Sequence, residues 1–185
     1  MRPYANRIPG LEHMTHDSYD EDYIHGILTG VKSVAIVGAS NNVVRPSYFV
    51  TKYLKSKGYT VYPVNPGLAG QEILGLKVYG GLKDIPEPVD MVDVFRNSEA
   101  ALGITKEAIE IGAKVVWMQL TVRNDEAAAL AEAAGLKVVM NRCPKIEYGR
   151  LSGEIGWAGV NSGTISNSRG KLGGVGLQDR RLGKQ

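Results

Sequence analysis

The chain has 185 residues, of which 43% are hydrophobic and 22% are charged, and its formal net charge is +3. This composition is ordinary for a globular protein, the length suits one domain with a sizeable core, and the small charge does not favour nucleic-acid binding. The longest apolar runs have the length of strands, so we expect no membrane span and no secretion signal. The single cysteine excludes an internal disulfide and favours a cytoplasmic protein.

The histidines give no sign of a metal site. All three precede the first predicted strand, and with one cysteine the chain lacks the spacing of a zinc site. We therefore expect no metal ligands.

The N-terminal part contains the first helix and the first strand. Residues 1–16 are predicted to form an irregular arm. Apolar residues at helical spacing predict a helix over 17–28, capped by Asp17 or Ser18. The apolar run Ser33–Val37 predicts a strand that ends at a glycine.

A second helix is predicted after this strand. It begins at Pro46, because proline favours the first helical turn, and ends near Gly58. A β-branched and aromatic strand follows at Thr60–Val64. The buried face of the helix is predicted to contain Phe49, Val50, Tyr53 and Leu54.

The remaining elements complete an alternating pattern. Strands are predicted near 77–79 and over 91–95, 114–118 and 136–140, and helices follow the caps Asn97 or Ser98 and Asn124. Near-continuous apolar strands that alternate with helices predict an α/β fold, with a doubly wound and mostly parallel sheet in a single domain. We place this domain at residues 17–150.

Residues 151–185 differ from the rest of the chain. They are rich in glycine and serine and carry an excess of basic residues. This segment is predicted to be a flexible tail or to lie along a partner.

The first predicted strand and the helix after it form the strongest candidate site. The dinucleotide fingerprint would need glycine at positions 40 and 43, where this chain has serine and valine. The turn instead offers Ser40, Arg45 and Ser47 as donors to phosphate oxygens, next to the positive end of a helix. This pattern favours a phosphate site over an ordinary βα turn.

The ends of the other strands supply further candidates. NAD enzymes usually place an acid after the second strand, and Asn65 at this position counts against NAD. Phe95 either covers an adenine or a pantetheine arm or belongs to the core, and Arg96 can meet a phosphate. Gln119 is expected to point into the crevice, whereas Trp117 is expected in the core.

Cys143 follows the last predicted strand. Arg142 and Lys145 lie nearby and predict a lowered pKa for its thiol, although a buried and inert cysteine fits the pattern equally well. No base is assigned to it. Cys143 is therefore a candidate redox residue and not a catalytic one.

Five segments together resemble a known family. They are 34–40, 45–48, 62–66, 94–96 and 140–147, and as a set they resemble the small stand-alone bacterial CoA-binding proteins. Those proteins are similar to the N-terminal CoA-binding domain of the succinyl-CoA synthetase α subunit. The resemblance covers about residues 20–150 and implies a cytoplasmic, Rossmann-like domain that binds coenzyme A.

The resemblance also implies which residues meet the cofactor. Gly38, Ser40 and Arg45 would meet its phosphates, Val64, Asn65 and Pro66 its adenosine end, and Phe95, Arg96 and Gln119 would line the crevice. Ala39 and Ser47 complete the predicted cofactor-binding set.

The resemblance does not extend to the synthetase's chemistry. The synthetase carries a phosphorylated histidine in a second domain, whereas no histidine follows His25 here. The leading hypothesis is a regulatory or sensing module that binds CoA or an acyl-CoA without catalysis of its own. Three alternatives stay open: an NADP-linked oxidoreductase, a redox sensor that traps CoA on Cys143, and an interaction protein or homo-oligomer that responds to CoA.

Overall fold

A parallel five-stranded sheet organises residues 15–154, the part of the chain that the computed structural model describes. Residues 155–185 of the predicted tail and residues 1–14 of the predicted N-terminal arm lie outside the described residues. The strands of the sheet are β1 (Ser33–Val37), β2 (Thr60–Val64), β5 (Met91–Val94), β6 (Val115–Met118) and β7 (Lys137–Val139), and a short antiparallel pair consists of β3 (Glu72–Ile73) and β4 (Leu76–Lys77). The order across the sheet is β2-β1-β5-β6-β7.

Helices cover both faces of the sheet. They are α1 (Glu21–Gly30), α2 (Pro46–Ser56), α3 (Ser98–Glu110), α4 (Asp125–Ala133) and α5 (Pro144–Leu151). One core cluster contains residues of α1, α2 and α5, and a second cluster contains residues of α3 and α4. The predicted Rossmann-like α/β fold is therefore confirmed.

The central strands are apolar because both of their faces are covered. All four residues of β5 and all four residues of β6 are buried. Trp117 on β6 is fully buried, as predicted, and its indole N–H donates to the Arg142 carbonyl at 2.8 Å. Burying a large apolar side chain contributes roughly 1.5–3 kcal/mol, so these strands hold the layers together.

The first helix starts later than predicted. Asp20, and not Asp17 or Ser18, is its N-cap, with the Asp20 carboxylate accepting from the Asp22 N–H at 2.8 Å. The Asp17 carboxylate instead pairs with Arg123 at 2.7 Å. A contact between distant parts of the chain thus decides which of several suitable caps is used.

Two further predictions about elements were incomplete or wrong. Phe49, predicted on the buried face of α2, is 48% exposed. The strand predicted near 77–79 is β4 at Leu76–Lys77, and Tyr79 forms a separate parallel bridge with Val64. Helix α5 was not predicted.

The strand order creates a crevice at one edge of the sheet. The chain leaves β1 toward β2 on one side, whereas β5, β6 and β7 follow on the other side. The carboxyl ends of β1 and β5 therefore lie at the topological switch point, which is where open α/β sheets bind ligands.

Among the described residues, no helix combines the length and the apolar character that crossing a bilayer requires.

Candidate functional site

A cleft of about 600 Å³ lies at this switch point. The turn after β1, the first turn of α2 and the segments after β5 and β6 form its walls. Ten of the residues named from the sequence line it: Gly38, Ala39, Ser40, Arg45, Ser47, Asn65, Phe95, Arg96, Gln119 and Cys143.

Gly38 forms the floor of the cleft at the end of β1. Its φ is +91°, a conformation that favours glycine. A Cβ atom at this position would lie 2.6 Å from the Phe95 carbonyl oxygen. Glycine is therefore required both by the turn and by the close approach of the segment after β5.

Residues 40–45 form a loop that its own side chains brace. The Ser40 hydroxyl accepts from the Asn42 N–H at 3.1 Å, and the Asn42 carboxamide oxygen accepts from the Val44 N–H at 3.0 Å. The Ser40 hydroxyl hydrogen remains available to a ligand. The loop is thus shaped to present donors to the cleft.

Helix α2 directs its N-terminus toward the cleft. Pro46 occupies its first turn, no side chain caps it, and no acidic residue lies in that turn. Ser47 is buried and lines the cleft. Because the first N–H groups of a helix attract anions, this end of α2 is suited to a phosphate group.

The cleft carries uncompensated positive charge. Arg45 and Arg96 both line it, and within residues 15–154 neither guanidinium makes an ion pair or a hydrogen bond. The described part of the lining contains no Asp or Glu. The site therefore attracts anions.

The turn after β2 contributes mainly structure. The Asn65 amide donates to the Ala39 carbonyl at 2.7 Å, and its oxygen accepts from the Gly67 N–H at 2.9 Å. Val64 is buried and its carbonyl accepts from the Gly38 N–H at 3.0 Å, while Pro66 is exposed. The cleft therefore does not bring Val64 and Pro66 together with the other predicted residues.

Phe95 and Gln119 continue the cleft away from α2. Phe95 is half-buried, packs on the core and also lines the cleft, so both readings of its role fit the structure. The Gln119 amide nitrogen lies 3.0 Å from each carboxyl oxygen of Asp93. Asp93 is fully buried on β5, and burial raises its pKa well above the usual range.

Cys143 lines the cleft at the N-cap of α5, but its thiol is not activated. Burial raises the pKa of Cys143, and the lowering effect of Lys145 does not reverse this. The Arg142 guanidinium donates to the carbonyls of Asn141 and Asp17. Of the two alternatives, the buried cysteine fits the structure and a net lowering of the thiol pKa does not, because burial outweighs the effect of Lys145 and the Arg142 guanidinium contacts other groups.

Sequence reasoning missed part of the site. Pro46 and Val50 of α2 and the residues Leu120, Thr121 and Val122 after β6 also line the cleft. The rule that ligands lie beyond strand ends would have found the segment after β6. Asp93 was detectable as the single acid in the otherwise apolar strand Met91–Val94.

The described residues contain no group of three or more His, Cys, Asp or Glu side chains that could hold a metal ion.

Comparison with known protein families identifies the domain. Residues 32–149 match the family model described as CoA binding domain. The chain belongs to the CoA-binding domain family. The matched CoA-binding domain begins just before β1 and ends within α5, so it contains every wall of the cleft.

Other proteins share this CoA-binding domain. The chain is 38% identical over 125 residues to the uncharacterized protein YneT of Bacillus subtilis, a match that covers 68% of this chain and 91% of YneT. A solved structure, a hypothetical protein from Pyrococcus horikoshii OT3, is 40% identical with a TM-score of 0.69, and the match covers 81% of this chain and 99% of that one. Both matches cover more than nine tenths of the relative's own length.

A larger relative is an enzyme. The chain is 36% identical over 85 residues to acetate–CoA ligase [ADP-forming] II of Archaeoglobus fulgidus, which covers 45% of this chain but only 12% of the ligase. The CoA-binding domain is therefore similar to that of succinyl-CoA synthetase-like ligases, as the sequence predicted. None of these relatives supports the NADP-linked alternative.

Proposed function

We propose that this chain binds coenzyme A or an acyl-CoA in the cleft beyond β1, β5 and β6, and that it acts as a regulatory or sensing module of the cytoplasm. The diphosphate lies against the turn after β1 and the N-terminus of α2, where Arg45 provides a charged contact. The adenosine lies on the side of β2, and the pantetheine arm extends along Phe95 toward β6.

One observation carries this proposal. At the switch point, two arginines that have no partner within residues 15–154 and an uncapped helix N-terminus face the same cleft, and the described lining contains no acid. A hydrogen bond to a charged group contributes about 1.5–3 kcal/mol, so such a cleft favours a ligand with several phosphates. CoA carries three phosphate groups, and the domain family is named for it.

The lining also supports binding without catalysis. Among the described lining residues there is no His, Asp, Glu or Lys to act as a general base. The ligase activity named for the archaeal relative belongs to a protein of which the match covers 12%, so it is not transferred.

A change in molecular size on adding CoA would show that the module acts through a partner copy.

A thermal-shift comparison tests the proposal. At a free CoA concentration of 100 Kd, binding stabilises the fold by about 2.7 kcal/mol. For a domain of this size, this predicts a Tm increase of roughly 5–11 °C. We expect that increase with CoA or acetyl-CoA and a clearly smaller one with NADP or NAD, whereas equal shifts for all four ligands would contradict the proposal.

A further inference from the structure

Asp93 is an acid in the middle of the sheet. It lies on the central strand β5, it is 0% exposed, and its neighbours in register are Ile36 and Trp117, which are also fully buried. Within residues 15–154 its carboxyl oxygens have one hydrogen-bond partner, the Gln119 amide nitrogen at 3.0 Å from each. Cys143 lies near enough that burial and then Asp93 raise the pKa of its thiol.

Fold stability gives no reason for an acid at this position. A buried carboxyl without a cation is costly, and replacing buried polar groups with well-packed apolar ones is often neutral or stabilising. Met91, two residues before Asp93 on the same face of β5, and the register neighbours Ile36 and Trp117 are all buried and apolar, so this face of the sheet accommodates apolar side chains. The acid therefore points to a role beyond packing.

Gln119 connects this acid to the cleft. It lines the cleft, whereas Asp93 does not, and one end of its amide lies on Asp93. The other end of the amide makes no hydrogen bond within the described residues. A single planar group thus lies between the buried acid and the ligand site.

The two sides of the cleft differ in charge. Arg45 and the N-terminus of α2 lie on the side of β1, and Arg96 follows β5. The side formed after β6 and at the start of α5 carries no charged residue in the described lining, which there consists of Gln119, Leu120, Thr121, Val122 and Cys143. With the diphosphate at α2, the uncharged arm and the sulfur end of CoA extend to Gln119.

We propose that Gln119, oriented by the buried Asp93, contacts the sulfur end of the ligand and makes the site prefer an acyl thioester to the free thiol. This inference rests on the proposed function and names the ligand class more narrowly. Gln119 is the contact residue and Asp93 is a positioning residue.

Hydrogen-bond chemistry explains the preference. In the structure the Gln119 amide nitrogen faces Asp93. A neutral Asp93, however, has one O–H that must donate to an acceptor, and the Gln119 carboxamide oxygen reaches it when the amide is turned over. This exchange of oxygen and nitrogen leaves the shape of the side chain unchanged. The amide nitrogen then faces the cleft with N–H groups free. A thioester carbonyl accepts from them, whereas a thiol is a weak partner.

Three ligands and three variants test the inference by isothermal titration calorimetry. The ligands are CoA, acetyl-CoA and adenosine 3′,5′-bisphosphate, which reports on the nucleotide half alone. The variants are Gln119→Met, which keeps the volume but not the amide, Asp93→Leu, which removes the anchor, and Asp93→Asn, which donates to Gln119 as the neutral acid does.

We expect the wild-type protein to bind acetyl-CoA about 3- to 10-fold more tightly than CoA, the range of one neutral hydrogen bond. Gln119→Met and Asp93→Leu should lose this ratio, Asp93→Asn should keep it, and the bisphosphate Kd should change less than twofold throughout. If Asp93→Leu does not fold, Gln119→Met still decides the matter.

Two results overturn the inference and are distinguishable from failure of the proposed function. Equal Kd values for CoA and acetyl-CoA in the wild-type protein, or an unchanged ratio in Gln119→Met, would refute the selectivity while CoA binding stands. If none of the three ligands binds the wild-type protein, the proposed function fails and the inference fails with it.

Discussion

Replacing Gly38 with alanine tests how closely the turn after β1 and the segment after β5 approach each other. Gly38 has a φ of +91°, which costs an L-residue about 1–2 kcal/mol. The new Cβ would also lie 2.6 Å from the Phe95 carbonyl oxygen and 3.1 Å from Arg96 Cδ, and overpacking of this kind costs about 1–3 kcal/mol. The total expected loss of unfolding free energy is about 2–5 kcal/mol.

Gly135→Ala is the matched control for Gly38→Ala. Gly135 follows α4 and has a φ of +85°, and no atom of the described residues lies within 4 Å of the position of its Cβ, so its substitution carries only the conformational cost. Urea unfolding of both variants should give unchanged m values. The loss of unfolding free energy should be about 1–3 kcal/mol larger for Gly38→Ala than for Gly135→Ala. Equal losses would refute the close approach that shapes the floor of the cleft.

Three further predictions concern the ligand and the buried groups. Arg45→Ala should weaken CoA binding about 10- to 100-fold because a charge-assisted contact is lost. The control Lys52→Ala, on the exposed face of the same helix, should change the Kd little. If calorimetry shows equal effects for both variants, the phosphates bind elsewhere. Burial raises the pKa of Asp93 in the folded protein above its value in the unfolded chain. Its stabilising contribution is therefore complete below the pKa of the unfolded state and is lost as the pH rises toward the pKa of the folded state. The unfolding free energy falls in this window by about 1.4 kcal/mol per pH unit. Asp93→Asn should therefore flatten the fall in unfolding free energy above pH 4, and an unchanged pH profile would show that the acid is not held neutral. Cys143 should attack CoA disulfide to give a mixed disulfide and one released CoA thiol. Because burial raises the pKa of the Cys143 thiol, this reaction should be slow at pH 7 and faster at higher pH. Intact mass spectrometry that shows no adduct at pH 9 would exclude the reaction.

The sheet was predictable because its signals are local. The apolar run Ser33–Val37 ends at a glycine, and a proline then opens a helix, so hydrophobicity and two backbone preferences mark the boundaries without reference to the rest of the chain. The same locality explains why the turn after β1 could be named as the main phosphate site.

The errors in the predicted helix cap and in the predicted buried face of α2 arose where contacts with distant parts of the chain determine the structure. Asp17 was a sound candidate cap, but its carboxylate pairs with Arg123, more than a hundred residues away. Phe49 was expected to be buried because it is aromatic, whereas α2 buries Ser47, Val50, Thr51 and Leu54. Helical spacing alone would have predicted that set, and residue type misled the interpretation.

The surroundings of the Cys143 thiol and the partner of the buried acid were beyond local reasoning for the same cause. Whether Arg142 faces Cys143 depends on the N-terminal segment, whose backbone accepts from that guanidinium at Asp17. The pairing of Asp93 with Gln119 joins a residue of β5 to one that follows β6, 26 positions later in the sequence. Such pairs become visible only when the strand order is known.

A crystal structure grown with excess CoA tests the central claim most directly. Density for the diphosphate should lie between the turn at Gly38 and the first turn of α2, with the Arg45 guanidinium within hydrogen-bond distance of a phosphate oxygen and the pantetheine arm directed toward Gln119. A cleft without CoA in that crystal, or CoA bound at another surface, would contradict the account.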